Sequence, residues 1–309
     1  MTLRIDTTPR PLGQSGLSVF PLAYGLWRFA GTSVADARAK VEAALDAGIT
    51  LFDHADIYGV DGGGSFGDAE ALFGKVLAEA PHLRERMVLA SKGGIVLGRP
   101  YDSSPAWLRQ ACEDSLRRLG VDTLDLYQIH RPDFLGHPAH IAEVLTALRD
   151  EGKIRHVGVS NHTPSQFRAL QAHLPFPIAT HQPQFSCWHH APLRDGVLDQ
   201  CLELGVAPLA WSPIAGGRMG MTVEEAAQSP EGQRLADLLA LLDRVAGEQG
   251  VSRTAVALAW LLAHPAGVIP ILGTQRVERI QASTQAFSVV LDRATWNAIL
   301  VAAQGEPLP

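Results

Sequence analysis

The sequence lacks several features that would place it in common classes of protein. It has three cysteines, Cys112, Cys187 and Cys201, and these form neither a CxxC pair nor an even set for disulfides. No apolar run approaches the ~18 residues of a membrane span. The first residues, MTLRIDTTPRPLG, contain no apolar segment of the secretory type. We therefore expect a cytoplasmic protein without disulfides, a metal site or a membrane partner.

An excess of positive charge is lacking as well. The formal net charge is -6 at pH 7, which gives no electrostatic footprint for binding nucleic acid. The hydrophobic content of 46% in 309 residues is enough for a large buried core. No low-complexity segment or Pro/Ser-rich linker divides the chain. We predict one domain over residues 1–309 that acts on a small molecule, in an oligomeric state that the sequence leaves open.

The sequence does contain a regular alternation of short apolar segments and amphipathic helical patterns. Eight apolar segments predict strands, and they lie near Val19, Thr50, Met87, Leu124, His156, Ile178, Ala207 and Gly267. The pattern PAWLRQACEDSLRRLG predicts a helix that begins after Ser104 and closes on Gly120. Strands alternating with helices in this way indicate a parallel sheet with helical crossovers.

The number of repeats favours one α/β architecture. Eight strand-helix units in a chain of this length are typical of a closed (β/α)8 TIM barrel. An open sheet that binds a dinucleotide would carry GxGxxG after its first strand, and that motif is absent. The segment RPLGQSGLSVF predicts an N-terminal β-hairpin cap at the bottom of the barrel. We expect additional helices at the C-terminal end, with Ala302 to Pro309 as a frayed tail.

Polar side chains follow three consecutive predicted strands where each strand ends. The stretch LFDHADIYG brings Asp53 and Tyr58, the third strand ends at Lys92, and the fourth ends at His130. A barrel gathers the C-terminal ends of its strands at one face, where active sites lie. We therefore expect these four side chains to converge in space.

The four side chains are suited to protonating an oxyanion. A buried Lys92 beside Asp53 stays cationic, and its charge should lower the pKa of Tyr58 toward the working pH. Tyr58 would then act as a general acid while His130 orients a carbonyl oxygen. A purely structural ion pair between Asp53 and Lys92 is the alternative. The neighbouring polar groups favour a catalytic site.

The motifs FDHADIYG, ASKGG, LDLYQIH and HVGVSN together resemble the aldo-keto reductase superfamily over nearly the whole chain. The phrases DHADIYG, HRPD and AWSPIAGGR are similar to those of a bacterial oxidoreductase branch within it. The resemblance implies that Asp53, Tyr58, Lys92 and His130 form a catalytic tetrad. It also implies reduction of an aldehyde or ketone to an alcohol by hydride transfer from NADP(H).

The resemblance further implies a cofactor site along the last four barrel strands. Contacts with the nicotinamide are carried over to Ser160, Asn161 and Gln182, with Trp211 in the stacking position that is Tyr in many members. Contacts with the phosphates are carried over to Ser212, Ile214, Gly216, Gly273, Thr274, Arg276 and Arg279, of which the two arginines would pair with a 2'-phosphate. The acidic and amide pair that many members have next is replaced by Gln281, Ala282 and Ser283.

Three residues are expected to line the substrate pocket, and these are Trp27, His54 and Trp188. His54 stands where many relatives have Thr or Ser. The glycine-rich loop with Gly62, Gly63 and Gly64 is expected to cover the pocket. An aromatic, mostly apolar pocket suits small aldehydes or ketones.

Two other functions remain open on the same fold. One is a cofactor-binding sensor or regulatory subunit, although the chain retains all four tetrad residues. The other is a Schiff-base aldolase with Lys92 as the amine nucleophile. Such a lysine needs a depressed pKa, and a neighbouring Asp53 would raise it instead.

Overall fold

A closed barrel of eight parallel strands forms the centre of the computed structural model, which describes residues 2–308. The strands in chain order are β1 Arg10–Pro11, β2 Ser18–Val19, β3 Ala23–Gly25, β4 Leu51–Asp53, β5 Val88–Gly93, β6 Ile95–Val96, β7 Arg99–Tyr101, β8 Leu124–Ile129, β9 Ile154–Ser160, β10 Thr180–Gln182, β11 Ala207–Ala210 and β12 Ile269–Leu272. The barrel order is β3-β4-β5-β8-β9-β10-β11-β12, and β12 pairs with β3 to close it. The TIM barrel and its eight strands, predicted from the alternation, are confirmed.

Helices surround the barrel. They are α1 Val34–Asp46, α2 Asp68–Glu79, α3 Pro105–Leu119, α4 Pro138–Asp150, α5 Pro164–Gln171, α6 Val197–Leu204, α7 Val223–Ala227, α8 Gly232–Gln249, α9 Arg253–Leu262, α10 Val277–Ala282 and α11 Arg293–Gln304. Helix α3 begins as predicted, with the Ser104 hydroxyl accepting a hydrogen bond from the backbone of Trp107. It ends at Gly120, whose left-handed φ of 66° suits a residue without Cβ.

The two ends of the chain pack onto the barrel. Strands β1 and β2 form the predicted antiparallel hairpin, and Leu12 of its turn is fully buried. A Cβ at Gly13 would lie 2.1 Å from the carbonyl oxygen of Ala179, so the hairpin sits directly on the start of β10. The expectation of a frayed tail from Ala302 is wrong for its first three residues. They form the last turn of α11, where Ala303 is buried against the core.

The barrel interior changes character along its axis. Its lower level is apolar, and includes Leu51, Ala90 and Leu126 packed with the hairpin. Because side chains alternate along a strand, the residues two positions further on also face inward. These are Asp53, Lys92 and Gln128, all buried. The polar groups therefore stand on an apolar floor near the C-terminal ends of the strands.

Two kinds of structure are absent from residues 2–308. No described helix is long and apolar enough to cross a membrane. No group of three or more His, Cys, Asp or Glu side chains in the described part of the chain could hold a metal ion.

Candidate active site

The four side chains expected to form a tetrad lie together at the C-terminal end of the barrel. The ammonium group of Lys92 is at their centre. It donates hydrogen bonds to Asp53 Oδ2 at 2.7 Å and to the backbone oxygen of His54 at 2.7 Å. A third bond joins Lys92 Nζ to the Tyr58 hydroxyl at 3.1 Å. The His130 ring stands edge-on to the Tyr58 ring, with centroids 5.8 Å apart.

The pKa of Lys92 lies above its ordinary value. Burial of the ammonium acts to lower the pKa. The charge of Asp53 and the hydrogen bonds to Asp53 and Tyr58 act to raise it, and their combined effect is larger than that of burial. Lys92 is therefore positively charged at neutral pH, as the sequence predicted.

The expected lowering of the Tyr58 pKa is wrong. Burial raises the pKa of this phenol, Lys92 lowers it, and Asp53 raises it again, with a net increase above the ordinary value. Removal from water outweighs the favourable cation, because a phenolate loses much of its hydration in the barrel mouth. Tyr58 is consequently protonated at neutral pH, which is the form that can donate a proton.

His130 is neutral for a related reason. Burial lowers the pKa of its imidazole well below the ordinary value, and the positive charges of Lys92 and Arg131 lower it further. A neutral ring can donate or accept a hydrogen bond without adding charge to the site. This is the form required to orient a carbonyl oxygen.

The Asp53 carboxylate has more partners than the sequence indicated. Its Oδ1 atom accepts hydrogen bonds from Gln182 Nε2 at 3.0 Å and from Gln128 Nε2 at 3.2 Å. Gln182 was expected at the nicotinamide, and the structure also ties it to Asp53. Gln128 was missed, although its inward-facing position two residues before His130 was a signal for it.

Residues expected at the nicotinamide form one hydrogen-bonded group. Ser160 Oγ donates to the backbone oxygen of Gln182 at 2.9 Å. Asn161 adopts a left-handed φ of 57°, and its Nδ2 donates to Ser160 Oγ at 2.6 Å. Trp211 Nε1 donates to Asn161 Oδ1 at 2.9 Å, so the indole ring is fixed in orientation. The guanidinium of Arg131 lies 5.4 Å from the centre of that ring.

The loop after β11 has an unusual backbone. Ser212 and Ala215 have left-handed φ values of 55° and 53°, and Gly216 follows with 66°. The backbone N–H of Gly216 donates to Ser212 Oγ at 2.7 Å. Ile214 anchors the loop by packing on the hydrophobic core. The backbone N–H groups of Ala215 and Gly217 also donate within the loop, to the backbone oxygens of Ser212 and Ile214. The loop is therefore held in one conformation by its own hydrogen bonds.

The loop after β12 presents positive charge. Arg276 and Arg279 are both exposed, and Arg276 has only Glu278 at 3.8 Å as an ionic neighbour among residues 2–308. Thr274 Oγ1 accepts a hydrogen bond from the backbone of Arg276, which leaves its own proton to donate. No atom lies within 4 Å of the position that a Cβ at Gly273 would occupy, so the space beside it is open. These groups are accessible to a phosphate.

Comparison with known proteins agrees with this geometry. A model of the aldo/keto reductase family matches residues 21–302. The chain belongs to the aldo/keto reductase family. It is 51% identical over 302 residues to a 6-dehydroglucose reductase of Novosphingobium aromaticivorans, with 97% of each chain covered. It is 38% identical over 302 residues to a 6-dehydroglucose reductase of Agrobacterium fabrum, covering 94% of this chain and 96% of that one.

A solved structure extends the comparison to three dimensions. The crystal structure of the thermostable aldo-keto reductase Tm1743 with the inhibitor epalrestat matches with a TM-score of 0.79. The identity is 25%, with 95% of this chain and 99% of that chain covered. The resemblance predicted from the motifs is confirmed. This aldo/keto reductase is an oxidoreductase, and its relatives indicate reduction of a carbonyl on a small molecule.

The pocket of this aldo/keto reductase differs from the expectation at His54. The side chain is fully buried outside the barrel, with its ring 4.6 Å from that of Phe73 and 6.5 Å from that of Phe29. It cannot line a pocket, because it follows the inward-facing Asp53 and therefore points outward. Only the backbone oxygen of His54 faces the site, through Lys92.

The two tryptophans expected at the pocket remain accessible. Trp27 is 44% exposed, and its Nε1 donates to Asp61 Oδ2 at 2.5 Å in the glycine-rich loop. Trp188 is half-buried under the guanidinium of Arg234, which lies 4.3 Å from the ring centre. Their role in binding substrate stays a prediction.

An open cavity of about 720 Å³ lies at the opposite end of the barrel. Arg84, Asp125 and Arg155 are among its lining residues, and both arginines pair with Asp125, at 2.9 Å and 3.1 Å. Three arginines and three carboxylates line it, so their formal charges balance, and none of the tetrad side chains lines it. The candidate active site is therefore the polar cluster at the C-terminal end, the face at which barrel enzymes carry out their chemistry.

Proposed function

We propose that this chain reduces an aldehyde or ketone to an alcohol with NADPH as the hydride donor. The observation that carries the proposal is the position of Lys92 Nζ, which touches both Asp53 and the Tyr58 hydroxyl. A cation held by one anion, next to a protonated phenol, is suited to stabilising the phenolate that remains after proton transfer.

The roles of the side chains follow from their protonation states. Tyr58 donates its proton to the carbonyl oxygen as the hydride reaches the carbon, and so acts as the general acid. Lys92 stabilises the resulting phenolate, and Asp53 keeps the ammonium in place. Neutral His130 donates a hydrogen bond that orients the carbonyl oxygen.

The residues beside the tetrad fit a nicotinamide dinucleotide, which would supply the hydride. Trp211 offers a fixed aromatic face, and Asn161 lies beside it as an amide partner. The Ser212 hydroxyl accepts a hydrogen bond from the Gly216 N–H and so keeps its own proton to donate to a pyrophosphate. The donor set therefore suits the cofactor that the family resemblance implies.

We infer that NADPH is preferred over NADH. The two differ by a 2'-phosphate, and phosphate sites in barrels follow the seventh and eighth strands. Arg276, Arg279 and Thr274 follow the eighth strand and present two cations and a hydroxyl. Arginine matches the geometry of phosphate oxygens with paired hydrogen bonds.

We further propose 6-dehydroglucose, the compound in the names of two relatives, as the first substrate to test. The support is the 51% identity over 97% of the chain. A sensor without turnover and a Schiff-base aldolase remain the alternatives. The raised pKa of Lys92 argues against the aldolase, since an ammonium group is not a nucleophile.

The test is a screen of NADPH oxidation with 6-dehydroglucose and a panel of other aldehydes and ketones. We expect turnover that disappears in Tyr58→Phe. Tight NADPH binding with no turnover on any carbonyl would instead support a sensor. Covalent trapping by borohydride in the wild type but not in Lys92→Met would support the aldolase.

A further inference from the structure

Gln128 has a polar side chain inside the barrel that the proposed chemistry does not use. Gln128 is fully buried, and both the nitrogen and the oxygen of its amide form hydrogen bonds. Nε2 donates to Asp53 Oδ1 at 3.2 Å, and Oε1 accepts from Thr180 Oγ1 at 3.2 Å. A buried amide is costly unless it is hydrogen-bonded, and an apolar side chain would fill the space more easily. The presence of a glutamine here, with both ends of its amide bonded, therefore indicates a function beyond packing.

The strand register is arranged to allow the bond with Thr180. Lys92, Gln128, Gly158 and Thr180 stand side by side on four neighbouring strands. Gly158 separates Gln128 from Thr180. A Cβ at Gly158 would lie 2.1 Å from Thr180 Oγ1 and 2.9 Å from Gln128 Cγ. The absence of a side chain there lets the hydroxyl reach across β9.

The consequence falls on Asp53. A carboxylate can rotate about its Cβ–Cγ bond, but here Gln128 and Gln182 both hold Oδ1. Oδ2 is thereby left to face Lys92, at 2.7 Å. The two N–H dipoles also offset part of the negative charge that Asp53 directs at Tyr58.

We propose that Gln128, held by Thr180 across Gly158, is a positioning residue that orients the Asp53 carboxylate toward Lys92 and so supports proton donation by Tyr58. The inference rests on the proposed role of Tyr58 as the acid. It adds two residues that touch neither the substrate nor the reacting atoms.

The first test compares Gln128→Met, which keeps the length of the side chain but removes both polar ends, with Thr180→Val. We expect Gln128→Met to lower kcat by roughly 10- to 100-fold, the range for losing a hydrogen bond to a charged group, with little change in KM for the carbonyl. Thr180→Val leaves the donor to Asp53 in place, so its loss should be smaller. The alkaline limb of the pH profile should move to higher pH in Gln128→Met, because Asp53 then raises the pKa of Tyr58 more strongly.

Gln128→Glu separates positioning from packing. The new carboxyl has nearly the same shape, and it donates to Asp53 only when protonated. When ionised, it places a second negative charge beside Asp53. We therefore expect kcat close to the wild-type value at the acid end of the pH range and a steep loss as the pH rises. A merely structural role would appear as a loss of folded protein as the pH rises, with kcat per folded molecule unchanged.

A second readout does not require activity. Titration of tyrosinate absorbance, taken as the difference between each protein and its Tyr58→Phe version, follows Tyr58 directly. We expect Tyr58 to ionise at higher pH in Gln128→Met than in the wild type. If Gln128→Met and Gln128→Glu lose only thermal stability, with kcat and the Tyr58 titration unchanged, the positioning role is overturned. Should the wild type lack reductase activity, this titration still decides the question separately from the proposed function.

Discussion

Two buried histidines, His162 after β9 and His181 on β10, should make the fold sensitive to acid. His181 on β10 is fully buried, and its ring stacks on that of Phe167 with centroids 5.8 Å apart. Burial lowers its pKa to about 3, with a further contribution from the neighbouring His162. Burial lowers the pKa of His162 to about 4, although the ring also donates an opposing hydrogen bond to the backbone oxygen of Ser160. Both rings are therefore neutral in the folded protein at pH 5.

The sign of the effect follows from linkage. In the unfolded chain both imidazoles bind protons below their ordinary pKa of about 6.5. The folded state binds them only near pH 4 and 3, so stability is complete above pH 6.5 and falls as the pH decreases toward those values. At pH 5 each histidine costs about 1.5 pH units times 1.36 kcal/mol per unit, or roughly 2 kcal/mol. The pair removes about 4 kcal/mol from a total that is typically 5 to 15 kcal/mol.

His181→Leu tests this reasoning, since leucine has a similar volume and does not titrate. The free energy of unfolding would be measured by denaturant titration at pH 7.5 and pH 5. The loss between the two pH values should be smaller in the variant than in the wild type by about 2 kcal/mol. Thr180→Val, on the same strand, is the control and should show the wild-type loss. An identical loss in His181→Leu and the wild type would refute the assignment of a neutral buried ring.

Three further predictions concern the active site. Tyr58→Phe should reduce turnover by roughly 10²- to 10⁴-fold and leave NADPH affinity nearly intact, because only the proton donor is lost; rapid turnover with unchanged NADPH binding would reject Tyr58 as the acid. Lys92→Met should raise the pKa of Tyr58 and move the alkaline limb of the rate profile upward as well as lowering kcat; an unmoved limb would count against electrostatic control by Lys92. Arg276→Ala and Arg279→Ala should each weaken NADPH binding by about tenfold or more and NADH binding far less, since each would remove a proposed charge-assisted hydrogen bond to the 2'-phosphate. Quenching of intrinsic tryptophan fluorescence would measure both affinities, and equal losses for the two cofactors would contradict the phosphate assignment.

The sequence was most informative where structure depends on local pattern. Alternating apolar segments predicted the eight barrel strands, and the polar residues at their ends predicted that Asp53, Lys92 and His130 would meet. The prediction that His54 lines the pocket was wrong because it considered the imidazole but not the alternation of side chains along a strand. That alternation sends it outward as surely as it sends Asp53 inward.

The remaining features depend on contacts between distant parts of the chain. Gln128 meets Thr180 only because the register of three strands places Gly158 between them. The direction of the Tyr58 pKa shift depends on how much water the folded barrel excludes, and no spacing in the sequence reports this. The final turn of α11 is likewise fixed by packing of Ala303 rather than by a strong local signal.

The left-handed backbone at Asn161, Ser212 and Ala215 has a consequence for how binding energy is used. None of these residues is a glycine, and the conformation is unfavourable by roughly 1 kcal/mol or more for Ser212 and Ala215, whereas Asn161 tolerates it better. The folded barrel already holds these residues in this conformation before any ligand binds. The loops are thus preorganised, and a cofactor that docks on them has little chain entropy left to remove. The conformational free energy that these loops cost in the folded protein thus lowers the entropic cost of binding a cofactor there.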